Sequence, residues 1–188
     1  MPKISLLAIL LTMTFMSTEV FSVENDLLSE SRKIIKQFGG ELKRELLSSL
    51  DTGGPLNAVS VCTQKAPEIA EKMSQGKSWE IARTSLKYRN PDNAPDIWEQ
   101  RALESFEERN AKGEAVGKME HYEVLNVDGE KVFRYMKPIP VGEPCLTCHG
   151  QQIPHDLNAK LEELYPKDQS VGFSLGEIIG AFSIRMSM

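Results

Sequence analysis

The sequence lacks several things, and each absence removes a class of protein. Basic charge is not in surplus: 22 Lys and Arg stand against 27 Asp and Glu, for a net charge of -5. The cationic footprint of a nucleic-acid binder is therefore missing, and nucleic acid is excluded as a partner. After Ser22 no apolar stretch approaches the roughly 20 residues that cross a bilayer, so no membrane span is expected in the mature chain. Glycine and proline, at 13 and 10, show no collagen period and no low-complexity tract, which removes the fibrous classes. Cysteine is scarce, at three, too few for a disulfide-stapled scaffold. What is present, 188 residues of which 40% are hydrophobic, suffices for one sizeable core and one domain.

The amino terminus reads as an address. Lys3 supplies a positive start, Ile4 to Met16 is an apolar run broken only by Ser and Thr, and Val20-Phe21-Ser22 offers a cleavage site. The expectation is a signal peptide over 1–22 and an exported chain beginning near Val23, periplasmic in a Gram-negative source. Retention of the segment as an anchor is the competing reading.

Hydrophobic periodicity organises the rest. Leu28, Ile35, Phe38, Leu42 and Leu46 predict an amphipathic helix over 24–50, weakened by Gly39-Gly40 and ended by Gly53-Gly54-Pro55. A second helix puts Ala58, Cys62, Ala66, Ile69 and Met73 on its apolar face, with Pro67 kinking or splitting it. A strand is expected over 79–88, then a helix opened by Asp96 with Glu99 as its capping-box partner. Strands over 119–126 and 131–137 form a hairpin through Asp128-Gly129. A loop over 138–154, a short helix marked by Leu157, Leu161 and Leu164, and a closing strand over 178–186 complete the chain. This order predicts an α+β fold, with N-terminal helices over about 24–75 and a small antiparallel sheet in the core over about 76–188.

Cys145-Leu146-Thr147-Cys148-His149 carries the chemistry. The Cys-x-x-Cys-His spacing is that of c-type haem attachment, in which two thiols add to the two vinyl groups and the adjacent histidine reaches the iron. One motif implies one covalent haem. Three other readings use the same residues. A periplasmic thiol-disulfide oxidoreductase would need Cys145 as a depressed-pKa thiol in a thioredoxin-like setting, a zinc site could draw on Cys145, Cys148, His149 and His155, and a plain disulfide would join Cys145 to Cys148.

With His149 on one face of the iron, the other axial position stays open on residue pattern alone. Met favours a higher potential, His an intermediate one and thiolate a low one, because its negative charge stabilises ferric iron. Cys62 lies on an apolar helix face, where its ordinary role is that of a small buried hydrophobe. His121 falls on a strand, His155 close to the motif, and Met73, Met119, Met136 and Met186 within regular elements. Arg83, Lys87 and Arg89 are candidates to offset the haem propionates, Arg83 foremost.

The chain resembles the single-haem c-type cytochrome domain family with a PAS-like fold, long labelled a domain of unknown function and found alone or ahead of bacterial sensor kinases. The resemblance rests on Val61-Cys62, Ala66-Pro67, Arg83-Thr84-Ser85-Leu86-Lys87, Arg89-Asn90-Pro91, Asn93-Ala94-Pro95 and the Cys145 to Gly150 motif. Tyr165-Pro166, Asp168, Gly172, Gly176-Glu177-Ile178 and Gly180-Ala181-Phe182-Ser183 continue it, with Glu177 where the family more often has Asp. It implies a PAS-like antiparallel sheet flanked by helices, haem held by Cys145 and Cys148, and iron ligated by His149 and Cys62. No transmitter follows Met188, so output is expected to pass to a separate redox or signalling protein. The expected role is redox or gas sensing, or low-potential electron transfer, without an enzymatic reaction.

Overall fold

The computed structural model describes residues 6–76 and 78–188, with side chains from Val23 onward. The leader expected over Met1–Ser22 lies outside the described residues at 1–5 and outside the described side chains throughout. Helix α1 (Leu6–Ser60) is long and continues through Gly39-Gly40. It is broken at Gly54, where φ is 69° and ψ is -170°, and Pro55 restarts it. A proline with its fixed φ and missing donor is preorganised for a first helical turn.

A π-helical turn (Val61–Lys65) follows, then α2 (Ala66–Ser74). The π turn has a local cause. Pro67 has no amide to give Thr63 and its ring would crowd that carbonyl, so the chain widens by one residue and Ala66 N–H bonds back to Val61 C=O. The expected kink is thus a π turn, and Cys62 sits on it.

Strand β1 (Trp79–Thr84) is shorter than the expected 79–88. At Ser85 the backbone leaves the sheet: its N–H donates to Asn93 C=O at 3.1 Å and its hydroxyl to Ile179 C=O at 2.6 Å. Helix α3 (Ile97–Ala111) starts at the capping box, with Glu99 N–H donating to Asp96 Oδ1 at 2.8 Å and Asp96 N–H to Glu99 Oε2 at 3.1 Å. Strands β2 (His121–Val127) and β3 (Glu130–Pro140) form the hairpin. Its two turn residues, Asp128 and Gly129, have φ of 54° and 89°, the positive pair of a type I′ turn.

The loop expected over 138–154 is partly helical. Glu143, with Pro144 in the first turn, opens α4 (Glu143–His149) after Gly142, and Gly150 closes it. Helix α5 (His155–Leu164) buries Leu157 and Leu161 but leaves Leu164 exposed. Strand β4 (Ile178–Ser187) returns to the sheet, whose order is β1-β4-β3-β2, antiparallel throughout.

Both faces of the sheet are covered. Phe133, Tyr135 and Ile184 pack with Ile34, Ile35 and Phe38 of α1 and Ile69 of α2. On the other face Met136 and Ala181 meet Leu103 and Phe106 of α3. A third cluster joins Val59 to Leu157, Leu161 and Tyr165, with Cys148 against it. This is the expected α+β, PAS-like arrangement. The third cluster matters for function because it leans the Cys145–His149 motif against the end of α1.

Candidate functional site

A cavity of about 510 Å³ opens between α1, β1, α4 and the 165–170 segment, within the roughly 300–1,000 Å³ of small-molecule and cofactor sites. Cys62, Arg83, Cys145, Cys148 and His149 all line it. Residues far apart in sequence are thereby gathered around one space. The walls are largely apolar, including Leu42 and Leu46 of α1, Ile139 of β3 and Phe182 of β4.

Helix α4 sets the geometry of the motif. Cys145 and Cys148 are three residues apart on one helical face, and all three cysteines of the chain are free thiols. Cys145 Sγ lies 3.4 Å from the Gly142 amide, so its thiol is fixed in the first turn. Burial, followed by the nearby Cys62 and Cys145 against an opposing pull from Arg89, raises the Cys148 thiol above its ordinary range. A half-buried thiol with a raised pKa is a poor thiolate nucleophile, so Cys148 is not poised to attack as a thiolate.

His149 closes the helix. Its Nδ1 lies 2.7 Å from Ser170 C=O and 2.9 Å from Ser170 Oγ. An Nδ1–H donating to the carbonyl leaves the lone pair on Nε2, the tautomer an iron ligand needs. Burial, with the nearby Arg89 cation, pushes the His149 imidazole down to about 4, so it is neutral at pH 7. Phe173 meets it edge-on with ring centroids 6.5 Å apart.

The cations divide their roles. Arg83 faces the α1 side of the sheet opposite Phe182 and lines the cavity, as does Lys87. Lys87 Nζ also sits 5.1 Å from the Phe173 ring centre. Arg89, grouped with them in the sequence as a propionate candidate, also lines the cavity, but it is buried and bonded to Asp168, Cys148 C=O and Ser170 C=O. Buried in this way, its guanidinium is engaged by protein acceptors.

The remaining ligand candidates sit elsewhere. His121 stacks on Trp98 at 5.1 Å, and His155 is exposed at the start of α5. Met119, Met136 and Met186 are buried in the core, with Met73 packed at its edge. Among the described residues no three His, Cys, Asp or Glu side chains converge as a metal-binding cluster, so the four-ligand zinc set finds no geometry. Sequence reasoning missed Ser170. The one legible signal was Asp168-Gln169-Ser170, a short Asx turn in which Asp168 Oδ1 accepts from Ser170 N–H at 2.7 Å.

The donor set suits a haem edge: two thiols on one helical face, an imidazole fixed through Nδ1, apolar walls for a macrocycle and cations at the cavity, Arg83 and Lys87 among them, for carboxylates. No curated protein matches the sequence. The crystal structure of the cyanobacterial heme-protein Tll0287 matches this fold with a TM-score of 0.68 and 22% identity, covering 87% of this chain and 96% of that one. A family model described as Tll0287-like matches residues 10–187. Nearly the whole sequence thus lies within one model, and the chain belongs to the Tll0287-like family.

Proposed function

We propose that this protein is an exported c-type haem protein that binds one haem covalently through Cys145 and Cys148, with His149 and Cys62 as the residues that would hold its iron. It serves low-potential electron transfer or the sensing of redox state or a small gas. The observation that carries the reading is the cavity lined by Cys62, Arg83, Cys145, Cys148 and His149, with His149 Nδ1 held 2.7 Å from Ser170 C=O. Membership of the Tll0287-like family, and a fold shared with a cyanobacterial heme-protein, support the same cofactor.

The chain's residues divide the work. Cys145 and Cys148 would hold the haem covalently through thioethers, whose formation is a net addition of S–H across each vinyl group and would need no oxidant. That chemistry would require both thiols reduced, as free Cys145 and Cys148 are. His149 would present Nε2 to the iron, and Cys62 its sulfur from the π turn. Arg83 and Lys87 offset the two propionate charges. The bound haem would supply one-electron exchange and, if one ligand leaves, a site for a diatomic gas.

The leader over Met1–Ser22 directs the chain to the compartment where such haems are attached in bacteria. Its test is fractionation of a tagged full-length chain, with exported protein beginning near Val23 as the expected result and a cytoplasmic, uncleaved chain as the contrary one.

The cofactor reading is tested by co-expression with a c-haem maturation system, acid-acetone extraction and intact mass. We expect one haem retained per chain, lost with Cys145→Ser and Cys148→Ser together. A colourless chain that reduces insulin with these cysteines would overturn the reading in favour of a dithiol enzyme. CO binding by the reduced protein separates sensor from carrier: a gas sensor takes up CO as Cys62 leaves, whereas a carrier keeps six ligands.

A further inference from the structure

Arg89 is the buried cation of the site, and its donors are aimed at the segment around His149. Its side chain is 9% exposed and that of Asp168 is 12% exposed. Arg89 Nε donates to Asp168 Oδ2 at 2.8 Å, and Nη2 donates to Cys148 C=O at 2.6 Å and to Ser170 C=O at 3.1 Å. Asp168 Oδ1 in turn accepts from Ser170 N–H at 2.7 Å. One ion pair therefore grips both the carbonyl that precedes His149 and the residue that holds its ring. Two backbone bonds complete the frame, Phe173 N–H to His149 C=O at 2.9 Å and Gly172 N–H to Gly150 C=O at 3.1 Å.

A buried ion pair is a weak source of net stability, because desolvation offsets most of its Coulomb attraction. What a guanidinium supplies is geometry: its planar fork meets several acceptors in one orientation. Groups that hold a ligand's second nitrogen also tune the metal, by orienting the ring and setting its electron density.

We propose that Arg89 and Asp168 are positioning residues for His149, fixing its imidazole through Ser170 and setting, by their opposed charges, the reduction potential of the iron it holds. This rests on the haem reading above. Removing the cation leaves a carboxylate near the site and frees Ser170 C=O to accept more strongly from Nδ1–H, and both effects favour ferric iron. Removing the carboxylate leaves the cation uncompensated and favours ferrous iron. The two changes must therefore move the potential in opposite directions, whereas a purely structural pair would lower stability in both without that opposition.

The experiment is potentiometric titration, followed by absorption and EPR, of the haem-loaded full chain as wild type, Arg89→Gln, Asp168→Asn and Arg89→Lys. Arg89→Gln is expected to lower the midpoint and Asp168→Asn to raise it. Arg89→Lys keeps the charge without the fork, so it should stay nearer the wild-type potential while broadening the low-spin EPR signal. Shifts of the same sign, or no shift with wild-type EPR, overturn the proposal. If Arg89→Gln fails to fold, Asp168→Asn decides: a midpoint that does not rise overturns it. A wild-type chain that retains no haem overturns the haem reading and this proposal together, while haem-loaded wild type with same-sign shifts overturns this one alone.

Discussion

His149 is held by atoms that its own neighbourhood in sequence does not supply. Its Nδ1 partner, Ser170, is 21 residues away, and Arg89, which also binds Ser170, precedes that serine by 81 residues. The motif residues were legible because two thiols and an imidazole at fixed spacing match one cofactor edge. Their supports were not legible, since no local pattern encodes a bond across such separations. Core side chains obey a simpler rule. Phe106 is fully buried in the cluster between α3 and the sheet, on the face away from the cavity. Phe106→Ala should therefore cost about 3–5 kcal/mol in chemical denaturation while leaving the haem spectrum unchanged. A spectrum that changes with it would mean that the α3 face reaches the site.

The π turn at Val61–Lys65 is the element with the most direct bearing on the site, because it carries Cys62. Pro67 signalled an irregularity, but the sequence did not distinguish a kink from a π turn; that choice is settled by where Ala66 N–H finds its acceptor. A π turn inserts one residue into the α-helical hydrogen-bond ladder, so its relaxation rotates the preceding residues by roughly 100°. Pro67→Ala restores the missing donor and permits that relaxation. On the proposed haem reading, the variant should still retain haem through Cys145 and Cys148 but show less thiolate ligation in the ferric spectrum. An unaltered spectrum would show that tertiary packing alone fixes the turn. Helix α4 was unforeseen for a different reason: seven residues between glycines, with a proline among them, read as a loop until the structure shows Pro144 in the first turn, where its missing amide costs nothing.

Across the whole molecule, the α+β class and the Asp128-Gly129 hairpin followed from periodicity and turn chemistry, whereas the strand order β1-β4-β3-β2 came only from long-range pairing. The long helix is tied to the sheet by Glu120, which accepts from Arg32 on α1 and from the Tyr135 hydroxyl at 3.0 Å. The Arg32 hydrogen bond holds the Glu120 carboxyl below its ordinary range against the opposing effect of burial. A folded value below the unfolded one means stability that is fully present above the ordinary carboxylate pKa of about 4 and is lost as pH falls through the lower folded value. The stability difference between wild type and Glu120→Gln should thus be constant from pH 7 to about 5 and shrink below about 4, measured by thermal melts. A difference that already shrinks near pH 6 would contradict this. The gathering of Cys62 and His149 around one cavity is the feature on which the functional reading turns. Its most direct test is the ferric EPR and absorption spectrum of haem-loaded wild type beside Cys62→Ser. Low-spin thiolate features present in the wild type and absent from the variant are the predicted result. Identical spectra would contradict ligation by Cys62 and return that residue to the role of a buried thiol.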